Sequence, residues 1–163
     1  MSSLIDALCI LMIPSAGETN SAAYWLGKGN ELCNFGQLDE AVKAYEHALS
    51  LDRALVDAWN NKGMILANLG RFDEAQKCFD EVLKLDPKHI QALSNKGMVL
   101  AQQKKYPEAL AHFDAAISID AYFAGAWYNK ALVMQCLGRG KEAMAAMKTA
   151  DALEGKAAGC RRR

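Results

Sequence analysis

The sequence predicts an all-α solenoid of four helical hairpins, and three observations carry that prediction. Lys28-Gly29, Lys62-Gly63, Lys96-Gly97 and Lys130-Ala131 recur every 34 residues without a slip. The same period puts Trp25, Trp59 and Trp127 in one slot, with Leu93 in the third copy. It also aligns Ala41, Ala75, Ala109 and Ala143. A fixed period of this length marks a solenoid, in which each unit buries its apolar face against its neighbours. The copies begin at Ala22, Val56, Ile90 and Ala124 and occupy residues 22–55, 56–89, 90–123 and 124–155.

The second copy shows why each unit is a hairpin. Trp59, Gly63 and Leu66 recur at three to four residues, on one helical face. Leu69-Gly70-Arg71 breaks the stripe, and Gly70 is placed to take the left-handed conformation after a helix end. A second stripe follows in Phe72, Ala75, Phe79, Val82 and Leu83. Asp86-Pro87 stops it, because proline disfavours helix at the residue before it. Gly63 and Ala75 are expected to face each other across the hairpin, where only small side chains let two axes approach. Trp59 and Phe79 supply bulk on either side, so Gly63→Leu would overpack the contact.

Composition narrows the function. The chain has 163 residues, enough for one domain, with 19 basic and 19 acidic side chains. Four of the basic residues (Lys156, Arg161, Arg162 and Arg163) follow the last acid, Glu154, so the repeat body carries a net negative charge. That balance argues against nucleic acid, whose binders present clustered positive charge. The cysteines, Cys9, Cys33, Cys78, Cys136 and Cys160, form no CxxC pair and stand at no ligand spacing from histidine. Disulfide staples and zinc are not expected, and a cytoplasmic location fits. Residues 4–13 are strongly apolar, but as a helix they would span only about 15 Å, half a bilayer core. Asp6 interrupts this run, Pro14 ends it and no basic residue precedes it. No membrane association is expected. Residues 1–21 are read as a short apolar segment, either a helix packed on the first copy or a non-native leader. Residues 156–163 are read as a flexible basic tail after a last helix ending near Leu153.

Numbered within a copy, Trp at 4, Gly at 8, Leu at 11, Ala at 20, Phe or Tyr at 24 and Pro at 32 resemble the tetratricopeptide repeat. The resemblance covers about residues 22–155. It departs at position 7, where lysine replaces the family's leucine, and proline at 32 survives only as Pro87. The fourth copy has Ala131 for glycine and Met147 for the aromatic. The resemblance implies a right-handed superhelix whose first helices line a concave groove. It also implies protein–protein recognition without catalysis or cofactor.

On that resemblance the groove is lined by Asn30, Asn34, Asn61, Met64, Asn68, Asn95, Met98, Tyr128 and Asn129. It is neutral and rich in amides. Asn61, Asn95 and Asn129 form a ladder at position 6. Each amide has donor and acceptor together and so suits the backbone of an extended peptide whatever its sequence. Met64 and Met98 add adaptable apolar contacts. The position-7 lysines are read as stems packed along the helix with solvated heads.

The family's two-carboxylate clamp for chaperone C-terminal tails would need cations where this chain has Leu26, Gln91 and Asn95. Its asparagines match at Asn30 and Asn61, but a carboxylate needs charge-assisted partners, so chaperone tails are excluded as partners. Catalysis finds no support: His47 and His112 fall on second helices and His89 at a helix start, all away from the groove. Carboxylates such as Asp39-Glu40 and Asp73-Glu74 open second helices, where negative charge is favourable. The alternative to peptide binding is self-association into a homo-oligomer. The last helix carries Met144, Met147, Ala150 and Leu153 as a stripe that no further repeat covers.

Overall fold

The computed structural model describes residues 21–160, and side chains through residue 155. The apolar run at 4–13 and the arginines 161–163 lie outside the described residues. The described chain is helical throughout: α1 (Ala22–Asn34), α2 (Leu38–Leu51), α3 (Val56–Asn68), α4 (Phe72–Leu85), α5 (Ile90–Gln102), α6 (Tyr106–Ile119), α7 (Ala124–Cys136) and α8 (Gly140–Cys160). It forms two compact units, one ending at Lys62 within α3 and one beginning at Gly63.

In the first unit α1 and α2 pack as a hairpin. Ser21 starts α1 by accepting the Tyr24 N–H at 3.1 Å, satisfying a donor that has no partner inside the helix. The turn closes at Gly36, whose φ of 75° is natural for glycine. Ala41, Ala44, Tyr45 and Ala48 are buried. A Cβ on Gly29 would lie 2.5 Å from the Tyr45 ring, so that position has room for glycine alone. At the unit's far end the Trp59 indole N–H donates to the Arg53 carbonyl at 3.0 Å.

The second unit repeats the arrangement. Helices α5 and α6 pair, as do α7 and α8, while α4 packs on α5 and α6 on α7. Phe79, Phe113, Leu66, Val82 and Val99 are its fully buried larger side chains. The atoms nearest a Cβ on Gly63 belong to Phe79, at 2.8 and 2.9 Å, and to Cys78. Gly97 meets Phe113 in the same way, at 2.7 Å. The small residue thus makes room for the aromatic ring of its own hairpin. Gly70 and Gly138 turn with φ of 75° and 73°, and in the third copy Lys104 takes that role at 61°.

Two expectations are corrected. Helix α8 runs to Cys160, so residues 156–160 continue the helix. No proline stops it, and Lys156-Ala157-Ala158 are good helix formers. Of the stripe expected to lie uncovered on α8, Ala150 is buried together with Ala143 and Ala146, while Met144 is exposed.

The lysine heads also differ from expectation. Lys62 reaches Glu46 at 2.9 Å, Lys96 reaches Asp80 at 2.6 Å and Lys130 reaches Asp114 at 2.5 Å. Each pair joins one copy to the second helix of the copy before, so position 7 supplies a recurring junction contact. Lys28 pairs instead with Glu31 of its own helix, at 3.5 Å.

His112 lies beside one of these junctions. Burial is the main cause that holds its imidazole below the ordinary histidine pKa, and the charge of Lys96 adds to it, while Asp80 and Glu108 oppose. The folded chain therefore binds this proton less readily than the unfolded chain, where histidine titrates at about 6.5. The contribution is present above that pH and is lost as pH falls below it. We expect His112→Gln to flatten the fall in stability between about pH 7 and pH 5 in denaturant titrations. An unchanged slope would contradict the assignment.

Candidate peptide-binding surface

The second unit carries a shallow recess between the end of α3 and α5. Its sides are Met64, Ala67 and Asn68 on one helix and Asn95, Met98, Val99 and Gln102 on the other. Buried Phe79 forms its floor. The recess holds about 50 Å³, and no charged side chain lines it. Met64 is 45% exposed and Met98 41%, so both thioethers meet solvent at the rim. Flexible, polarizable side chains beside amides suit an apolar group entering from a chain whose own amides need partners.

Four of the nine expected groove residues, Met64, Asn68, Asn95 and Met98, therefore meet in one place. Phe79 and Val99 also line it and were not anticipated, whereas Ala67 stands at position 12 of its copy, on the expected groove face. Phe79 had been assigned to packing alone. Gln102 was legible, since it shares the slot of Asn34 and Asn68 one and two periods earlier.

On α7, Tyr128 is exposed, and Asn129 donates from Nδ2 to Ser94 Oγ at 3.4 Å. In the first unit, Asn61 donates from Nδ2 to Asn30 Oδ1 at 3.1 Å. The same oxygen accepts the Tyr45 hydroxyl at 2.7 Å, and Cys33 Sγ lies 3.4 Å from that hydroxyl. Burial, and then the Cys33 contact, push the Tyr45 pKa above its ordinary value, so the group is a neutral donor. Asn34 is the exposed last residue of α1. Two rungs of the asparagine ladder thus bond to the preceding first helix. A carboxamide can take part in about four hydrogen bonds, so these contacts orient the group without exhausting it.

The histidines lie where expected. His47 on α2 stacks edge-on against Trp25, with ring centroids 4.3 Å apart, and His89 caps α5 by accepting the Ala92 N–H at 3.1 Å. Among the described residues no cluster of His, Cys, Asp or Glu could hold a metal ion. No described helix is long and apolar enough to cross a membrane. Of the residues expected to self-associate, Met144 and Met147 share an open recess of about 360 Å³ with Gln135, Gly140 and Ala143. Leu153 is half-buried and lies apart from it.

Paired helices repeating at a fixed interval define a helical-repeat protein. The chain belongs to the tetratricopeptide repeat family: one model of that repeat matches residues 61–123 and another matches 29–70, together more than half of the chain. No curated protein sequence matches it. Among solved structures, a crystal structure of MamA superposes with a TM-score of 0.79 at 20% identity, over 88% of this chain and 84% of that one. MamA from residue 41 onward from Desulfovibrio magneticus RS-1 gives 0.73 at 28%, over 82% and 76%. The first repeat domain of Spaghetti (RPAP3), bound to the HSP90 peptide SRMEEVD, gives 0.70 at 20%, over 74% and 95%. The fold is an all-α helical-repeat solenoid, the fold of a protein–protein interaction scaffold.

Proposed function

We propose that this chain is a non-enzymatic adaptor that holds an extended, largely uncharged peptide segment of a partner protein. The observation that carries the reading is the recess of Met64, Asn68, Asn95 and Met98, with apolar rims and flanking amides but no lysine or arginine. An apolar side chain of the peptide enters between the two methionines, and the amides take its backbone. Tyr128 and Asn129 offer further contacts in the second unit, and Asn30, Asn34 and Asn61 offer amides to a peptide in the first. A related fold grips the acidic peptide SRMEEVD. Here Leu26, Gln91 and Asn95 stand where a carboxylate clamp needs cations, so acidic chaperone tails are not the ligand. The cytoplasm is the compartment that suits such an adaptor, whose sequence holds no CxxC pair.

The test compares the wild type with Asn61→Ala/Asn95→Ala/Asn129→Ala and with Met64→Ser/Met98→Ser, using one peptide selected on the wild type. Both variants should keep their helical circular dichroism and lose affinity at least about tenfold, roughly 1.4 kcal/mol. Full affinity in the triple variant would remove the ladder, and full affinity in both would remove the site. A second reading, homo-oligomerisation through Met144 and Met147, has one observation in its favour: Met144 is 63% exposed beside an open apolar recess. Light scattering over a concentration series separates it from the first.

A further inference from the structure

The recess between α3 and α5 lies within the second unit, and its size restricts what can enter it. It holds about 50 Å³. An apolar cavity of about 150 Å³ takes a benzene ring, and a water molecule fills about 30 Å³ of its liquid. On that scale the recess is too small for an aromatic ring and has room for about one to three carbon atoms. Among the described residues its lining supplies the carboxamides of Asn68, Asn95 and Gln102 and no charged side chain. A charged group entering it would lose water and gain no opposite charge.

The core sets the depth of the recess. Phe79 is 0% exposed and Val99 1%. The Phe79 ring packs closely on Gly63, where a Cβ would lie 2.8 Å from it. One period on, Phe113 and Val133 share a buried cluster, with Ala101 packed against it. The residues match slot for slot, since Phe79, Val99 and Ala67 stand 34 residues before Phe113, Val133 and Ala101. The floor is thus a core contact that the repeat uses again, and a close-packed core does not give way to an entering group.

The mouth and the wall differ from the floor. Met64 and Met98 are unbranched and flexible, so they adapt to an entering group without deepening the recess. Ala67 is half-buried on the α3 side and is the smallest side chain of the lining. A larger residue there would take up the space that a ligand needs.

We propose that the recess takes the side chain of valine or alanine as the anchor of its peptide, and that Val99 and Ala67 set this preference. The proposal rests on the reading of the recess as a peptide site. An isopropyl or methyl group fits the volume. A short side chain also brings its own backbone within reach of the flanking amides, from which a long one would hold it away. Leucine, methionine and phenylalanine would press on Phe79 and Val99, and such overpacking is destabilising. One surplus methylene in an apolar pocket is worth about 10–200-fold in discrimination.

The test uses a peptide that binds the full wild-type chain and loses affinity on Met64→Ser/Met98→Ser. Its anchor, the position whose change to aspartate abolishes binding, is made alanine, valine, leucine or phenylalanine, and each form is titrated by fluorescence anisotropy. On the wild type the valine and alanine forms should bind at least about tenfold more tightly than the leucine and phenylalanine forms. Val99→Ala deepens the recess and should bring leucine ahead of valine. Ala67→Val narrows it and should leave the alanine form the tightest. Ala67→Val leaves the floor intact, so it decides even if Val99→Ala fails to fold. Leucine or phenylalanine as the preferred anchor of the wild type would overturn the proposal and leave the peptide site standing. An order unchanged in Ala67→Val would do the same. If no peptide is sensitive to Met64→Ser/Met98→Ser, the site itself fails and the proposal with it.

Discussion

Gly97→Ala should destabilise the chain by about 1–3 kcal/mol in chemical denaturation, although alanine is the better helix former. Helix propensity alone favours alanine by about 0.8–1.0 kcal/mol, so the two effects differ in sign. Packing decides because the new Cβ would sit 2.7 Å from the Phe113 ring. That ring is fully buried, so it has no open space to move into. The last copy shows the compatible combination, with Ala131 where the others have glycine and Met147 where they have an aromatic ring. Phe113→Met should therefore cost less in the Gly97→Ala background than in the wild type, with a coupling of about 0.5–3 kcal/mol. A stabilised Gly97→Ala chain would contradict this account of the repeat's central contact.

Asn30→Met should cost about 1–3 kcal/mol, because it leaves the buried Tyr45 hydroxyl without its carbonyl acceptor. Tyr45 is 1% exposed, so water does not replace the lost bond. Adding Tyr45→Phe should recover most of the loss, since removing both partners leaves no stranded polar group. The chain itself supplies the precedent: Phe79 goes with Met64, and Phe113 with Met98, at the same two positions. If the double variant is no more stable than Asn30→Met, the hydroxyl is not what Asn30 serves. The result also separates a structural role for Asn30 from a role in binding, because the stability cycle needs no ligand.

The hairpins and their turns were legible because they rest on short-range signals. Glycine before a helix start, aromatic and alanine slots at fixed offsets and Asp-Pro at a boundary all act within one copy. The junction lysines were misread because their partners lie in another copy. The acids sit 16 residues before Lys62, Lys96 and Lys130, and that regularity was available in the sequence. A periodic lysine looks like a solvated stem until its carboxylate is sought one hairpin earlier. The end of α8 was not legible because Gly155 and Gly159 resemble a helix stop, while the alanines between them favour continuing the helix.

The candidate site was half legible. Position within the copy picked out Met64, Asn68, Asn95 and Met98, which line one recess. Spacing could not reveal that Asn61 and Asn129 spend a donor on the preceding helix, since a carboxamide serves a peptide or a neighbour equally well. Nor could it show Phe79 as the floor of the recess, because a residue that fills a core and one that closes a pocket leave the same apolar signature.

The central claim is that a neutral face of this solenoid holds an extended peptide. A selection from a random-peptide library on the folded wild-type chain tests it most directly, run beside Asn61→Ala/Asn95→Ala/Asn129→Ala. The account predicts enrichment of peptides that share an apolar anchor and carry little charge, with enrichment lost on the variant. Selection of acidic C-terminal peptides, or no enrichment on either protein, would contradict it.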